Sequence, residues 1–176
     1  MVGGMAADAP DAPDDDHIDR MLQDWARAAP DLDASPLEVA GRILRCAAVL
    51  ERWIDDALRP LGLSFGDFDV INTLRRRPDP HGTNPKALAA SALITSGAMT
   101  SRLDRLERAG LVTRHPDPAD RRAILVRLTT AGRRRATEAL DAVLDADRRF
   151  LAPLPRDDTP TLAATLRQLL LHAEPS

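Results

Sequence analysis

The sequence has no tyrosine, a single cysteine and a single lysine, and these shortages narrow the chemistry available to it. Cys46 alone forms no internal disulfide, so the core must hold the fold. No apolar run approaches the ~20 residues of a membrane span, and no short apolar run follows a basic start. We therefore expect a protein of the cytoplasm, at the nucleoid, with no membrane partner. The histidines, His17, His81, His115 and His172, sit in unrelated segments without metal-ligand spacing. There is no glycine-rich phosphate loop and no nucleophile elbow, since Ser96-Gly97 reads as a helix start. Neither an enzyme nor a cofactor is expected. With Lys86 as the only lysine the basic charge is arginine, which reflects codon bias rather than chemistry.

What the chain does have is ordinary bulk and an uneven charge. Its 176 residues, 44% hydrophobic and 29% charged, suffice for one soluble domain with a real core. Residues 1–38 carry ten acidic side chains against Arg20 and Arg27, a balance of -8, whereas residues 95–135 carry ten arginines against Asp104, Glu107, Asp117 and Asp120, a balance of +6. A positive field concentrated in mid-chain suits a polyanion; a merely solvated set of helix and loop charges is the alternative.

Helix punctuation supplies the organisation. Residues 1–16 form an acidic tail expected to be disordered, and 17–35 an extension helix and linker in which Ile18, Met21, Leu22 and Trp25 share one face. Ser35-Pro36-Leu37-Glu38 is an N-cap, a first-turn proline and a capping-box glutamate; it opens a helix over 36–59 with Ile43, Ala47, Leu50, Ile54 and Leu58 on one side. Cys46, well inside that helix, is expected to be a buried apolar thiol. Ser64 and Asp67 start the next helix, whose inward stripe is Phe65, Phe68, Ile71 and Leu74. Asn84-Pro85 opens a helix of about seven residues. Thr95-Ser96 then cap another that ends at Ala109-Gly110, completing a helix-turn-helix.

Beyond Gly110 the apolar period becomes two. Residues 111–115 and 123–128 read as strands, with Ile124, Val126 and Leu128 on one side, joined through Pro-Asp-Pro-Ala-Asp-Arg-Arg into a wing. Thr129 caps a helix over 129–152 with the seam Ala136, Leu140, Val143 or Leu144, and Leu151. Thr159-Pro160 starts the last, 159–173, with Leu162, Leu166, Leu169 and Leu170 inward. The expected fold is mainly α (α+β): a winged helix-turn-helix core, 64–128, within a domain of 36–176 whose flanking helices are too apolar for one copy to cover. A twofold homodimer follows, reading a palindromic operator on double-stranded DNA with half-sites ~34–36 Å apart.

Asp120-Arg121-Arg122, then Ala-Ile-Leu-Val-Arg before Leu128-Thr129, together with Gly110-Leu111-Val112 and the order of elements, resembles the MarR family of transcriptional regulators over residues 36 to 173. An arginine at a hairpin tip suits the narrow minor groove. Asp120 would fold the turn by accepting backbone N–H bonds or by pairing with Arg122, leaving Arg121 or Arg122 to extend. On the recognition helix Ser101, Arg105 and Arg108 point away from the core, so Ser96, Ser101 and Arg105 are candidates for base edges and phosphates. Gly97 and Ala98 keep the helix start slim beside Thr95. Arg102 flanks the core stripe, its stem half-buried. Asp69, placed at an exposed edge of its helix, would supply an anion, and Arg114 would lie near the same cleft.

Trp25, Asp69, Arg102 and Arg114 are further similar to the urate-responsive, HucR/PecS-like branch of that family. By this resemblance they would form the pocket for urate, a flat anion suited to guanidiniums and an aromatic face. The expected function is a repressor that urate or a related purine releases from its operator. Response to another aromatic or phenolic anion, or a helical interaction protein that binds no DNA, are the alternatives. A structural Asp69–Arg102 ion pair beside a merely packing Trp25 would fit the same residues. Peroxide-sensing relatives use a cysteine near the start of the first long helix with tyrosine partners, which this chain lacks.

Overall fold

The computed structural model describes residues 15–91, 99–120 and 123–174. Its elements are α1 (His17–Ala28), α2 (Pro36–Leu58), a 3-10 turn (Arg59–Leu61), α3 (Phe65–Arg76), α4 (Pro85–Ser91), α5 (Met99–Arg108), β1 (Val112–Pro116), β2 (Ile124–Leu128), α6 (Thr130–Leu151) and α7 (Thr159–Ala173). They form two compact units, one ending at Val49 and the other beginning at Leu50. No helix among the described residues is long and apolar enough to cross a membrane.

In the first unit a polar clasp and one apolar contact hold α1. Asp16 caps the helix, accepting the N–H groups of Ile18 at 2.6 Å and Asp19 at 3.0 Å, while the Asp19 carboxylate accepts that of Asp16. Arg42 of α2 donates to Asp16 at 2.8 Å and to Asp19 at 2.6 Å. The Asp19 N–H, followed by burial working the other way and the Arg42 guanidinium, leaves the Asp16 carboxyl below its ordinary value. Ile18 is 4% exposed because Gly41 offers no side chain where it lands; a Cβ there would come within 2.8 Å of Ile18 Cδ1. The expected stripe is otherwise loose, with Met21 and Leu22 half-buried and Trp25 42% exposed.

The second unit is organised around α3. Ser64 and Asp67 form the expected capping box, but the expected single stripe becomes eight buried residues, Gly66 to Ile71 with Thr73 and Leu74. The reason is that α4, α5, α6 and β2 all pack against this one helix. Against it α6 presents Ala136, Ala139, Val143 and Ala146, small residues that permit close approach. Thr129 caps α6, accepting the Gly132 N–H at 2.9 Å while its hydroxyl donates to the Gly110 carbonyl at 2.7 Å. A side chain at Gly132 would collide with the Leu111 carbonyl. Trp53 and Phe150 meet edge to face at 5.9 Å between centroids, with Arg149 over the Trp53 ring.

The sheet pairs β1 with β2 antiparallel, Val112 opposite Leu128 and Pro116 opposite Ile124. Of the expected face of Ile124, Val126 and Leu128, the last two are buried, but Ile124 is corrected: it is 47% exposed while Leu125 is 8% exposed. Thr83 explains this, because it exchanges backbone bonds of 2.9 Å with Val126 in both directions and so adds a one-residue third strand. Gly82, at φ +98°, then lies over Leu125.

Several expected apolar faces are left uncovered among the described residues. Leu162, Leu166, Leu169 and Leu170 of α7 are 41%, 37%, 48% and 58% exposed, and Leu144 and Leu151 of α6 also face outward. On α2 only Ile54 and Leu58 are buried, with Leu50 half-buried, whereas Ile43 and Ala47 are exposed. Cys46 is exposed too, contrary to the expectation of a buried thiol, since it belongs to this uncovered stretch.

Candidate nucleic-acid interface and arginine clamps

The helix-turn-helix is built by α4 and α5. The Asn84 side chain accepts the Lys86 N–H at 2.8 Å and so caps the short α4, while Met99, Leu103 and Leu106 bury one face of α5. Its opposite face carries Ser101 and Arg108, both exposed as expected; Arg108 donates back to the Asp104 carbonyl. The expected contacts Thr95, Ser96, Gly97 and Ala98 lie outside the described residues, as do Arg121 and Arg122.

Arg105 is placed differently from a freely projecting base reader. Its guanidinium donates to Asp67 at 2.8 Å, and the two side chains are 47% and 9% exposed. Asp67 therefore does two things at once: one oxygen receives the Ser64 hydroxyl at 2.8 Å in the capping box, and the other receives Arg105. The start of α3 is thereby tied to the second helix of the motif. Nothing in the sequence points to this second role, because an i, i+3 Ser-Asp pair reads fully as a cap.

At the wing, the turn between the strands is folded by Asp117. Its carboxylate accepts the Ala119 N–H at 2.8 Å, and backbone bonds join Asp117 to Ala123 and Ala123 to the Asp120 carbonyl. Asp117-Pro118 is a legible Asx-turn signal, and the Asp117 side chain meets the turn backbone, while Asp120 is exposed.

Arg114 of β1 is the other clamp on α5. It reaches Asp104 at 2.7 Å and Glu107 at 3.2 Å, with its side chain 24% exposed. It thus pairs with both carboxylates of the recognition helix, which otherwise carries Arg102, Arg105 and Arg108. Arg102 is half-buried, as its angle on the helix predicts. Asp69 is corrected: it is fully buried, not at an exposed edge, because the enclosure of α3 leaves that helix no open side in this stretch. Trp25 lies in the first unit. Among the described residues no group of histidine, cysteine, aspartate or glutamate is placed to hold a metal ion.

Known proteins share this fold. The family model described as MarR family matches residues 61–123, from just before α3 through the wing turn. The HTH-type transcriptional regulator PecS of Dickeya dadantii is 32% identical over 155 residues, 88% of this chain and 93% of that protein. The crystal structure of a mutant Escherichia coli MarR complexed with operator DNA superposes with a TM-score of 0.66 at 28% identity, covering 83% of this chain and 97% of that one. The Mycobacterium tuberculosis MarR family protein Rv2887, in complex with salicylic acid, gives a TM-score of 0.59 at 32% identity over 74% of this chain and 95% of its own.

Proposed function

Because this chain belongs to the MarR family of DNA-binding transcriptional regulators and is not an enzyme, we propose that it acts as a homodimeric repressor released from a palindromic operator by urate or a related purine. The exposed leucines of α6 and α7 are the surface a second copy would cover. Two copies of α5 would then enter successive major grooves, with Arg121 and Arg122 at the minor grooves beside them. Thr95, Ser96, Gly97, Ala98 and Ser101 supply slim, hydroxyl-rich contacts at the start of the recognition helix, and Asp120 belongs to the wing turn.

The observation that carries the ligand response is the Arg114 clamp. An anion that captures Arg114 and Arg102 strips Asp104 and Glu107 of the cation that faces them, leaving two uncompensated carboxylates on the helix that must approach phosphate. Operator affinity falls, and by linkage the operator weakens the ligand equally. Asp69, buried in α3, enters this reading as an anion for Arg102. Trp25 enters this reading on the sequence match alone. The salicylic acid bound by Rv2887 favours the second reading, in which another aromatic anion is the effector.

The experiment is titration of urate, xanthine and salicylate into the protein bound to operator DNA. Release by urate, abolished in Arg102→Ala and Trp25→Phe with the melting transition preserved, supports the proposal. Equal release by salicylate assigns the general aromatic reading, and indifference to all three removes the ligand response.

A further inference from the structure

A second cleft, remote in composition from Asp69, Arg102 and Arg114, opens where β2, the start of α6 and the loop leading into α4 meet. Its volume is about 320 Å³, at the small end of the ~300–1,000 Å³ typical of small-molecule sites. We propose that it binds a small organic anion, a single carboxylate on a flat apolar body, with Arg127 and Arg133 holding the charged end.

The charge arrangement is the first reason. Arg127 comes from β2 and Arg133 from the first turns of α6, and both line this one cleft. Neither guanidinium has a hydrogen-bond or ion-pair partner among the described residues. Arg105 is engaged on Asp67, Arg114 on Asp104 and Glu107, and Arg135 on Glu138 and on the Leu61 carbonyl, whereas Arg134, which does not line the cleft, has no partner among the described residues. The acid on the rim is Asp79, whose carboxylate already receives the His81 N–H at 2.7 Å. Two guanidiniums against one carboxylate leave a net single positive charge, which matches a monoanion. A carboxylate presents two oxygens to two forks of donors.

The walls are the second reason. Leu74, Val126 and Leu128 line the cleft with the rings of Pro78 and Pro80, which suits an aromatic or alicyclic body and gives a di- or triphosphate nothing to bind beyond its charge. The third reason is that the site is held in shape before any ligand arrives. Thr83 is bonded to Val126 in both directions, and Gly82 lies so close that a Cβ would sit 3.0 Å from Arg127 Cγ and from Leu125 Cβ. The stem of Arg127 is therefore packed along the loop backbone, while the charged ends of the exposed Arg127 and Arg133 are what binding has to order. Because β2 leads directly through Thr129 into α6, an occupant would fasten the root of the wing to both α6 and the loop before α4.

The test uses the full chain and 1-naphthoate, with 1-naphthalenemethanol as its uncharged counterpart, by calorimetric titration with and without saturating urate. The expected result is naphthoate binding that is at least about tenfold tighter than the alcohol and falls at least about tenfold in Arg127→Gln/Arg133→Gln. Urate should leave it unchanged. The single variants give the same reading if the double variant loses its helical circular dichroism. Binding that the variants retain, or that urate displaces, belongs to another site and overturns the proposal. So does the absence of naphthoate binding together with a weaker, less salt-dependent operator affinity in the double variant, which would assign both arginines to the DNA backbone.

Discussion

Removing Arg105 separates two roles that look alike in a gel. If Arg105 reads a base, Arg105→Ala costs ~1–3 kcal/mol of operator binding and relaxes sequence preference at one position, while Asp67 is a bystander. The 2.8 Å contact to a carboxylate only 9% exposed gives Arg105 a positioning role as well. Fully exposed pairs couple by ~0.2–1 kcal/mol, and breaking a fully buried one costs ~3–5 kcal/mol. Here one partner is nearly buried and the other half-exposed, and Asp67 keeps its Ser64 bond when Arg105 is gone. A coupling of about 1 kcal/mol is the consistent value. Asp67→Ala should cost about 2 kcal/mol in all, since it also dismantles the capping box, itself worth ~0.5–2 kcal/mol. Urea unfolding of the two single variants and the double variant gives the coupling directly. Operator binding of the same set gives the function: a positioning pair weakens specific binding similarly in both single variants, with no further loss in the double. A coupling indistinguishable from zero, with Asp67→Ala binding operator as well as the parent and Arg105→Ala losing selectivity, would refute the positioning role and restore Arg105 as a reader.

Two other expectations follow from the same structure. Asp16 and Asp33 are held below the ordinary value of 3.8, Asp16 chiefly by the Asp19 N–H and Asp33 chiefly by the Ser35 hydroxyl. Each contributes stability that is fully present above pH 3.8 and is lost as the pH falls through its lower folded value. Protection factors for amide exchange over residues 17–28 should therefore hold above pH 3.8 and fall progressively below it; loss of protection well above pH 3.8 contradicts the clasp. Replacing Leu166 and Leu169 by glutamate removes two exposed leucines that the proposed second copy would cover, worth ~1.5–3 kcal/mol each if fully buried. Sedimentation should show the dimer dissociation constant raised about a hundredfold or more, with operator binding weakened in parallel, whereas a parent protein that already sediments as a monomer defeats the dimer.

The parts legible in the sequence are those in which one local rule governs a few consecutive residues. The Ser64 and Thr129 caps, the short helix after Asn84-Pro85, the turn at Gly110 and the half-burial of Arg102 each depend on spacing alone, and each is where spacing puts it. What spacing misses is whatever a distant segment decides. A strand reads as alternating until Thr83, more than forty residues earlier, pairs with Val126 and buries Leu125 instead of Ile124. Asp69 reads as an edge residue on a helix assumed to have one inward stripe, but α3 is enclosed by α4, α5, α6 and β2, and an enclosed helix has no edge there. Asp67 and Arg114 have the same lesson in electrostatic form. A capping aspartate satisfies its local rule completely and still has a second oxygen, and an arginine after the recognition helix finds its anions on that helix rather than across a cleft. The charge balance of +6 over residues 95–135 already sets Asp104 and Glu107 against Arg114, but it leaves out Asp67, which lies outside that stretch and takes up Arg105. Arg105 and Arg114 are committed to carboxylates within the fold, so the cations left for a polyanion must come from elsewhere, and the affinity for DNA depends on whether those internal pairs stay made.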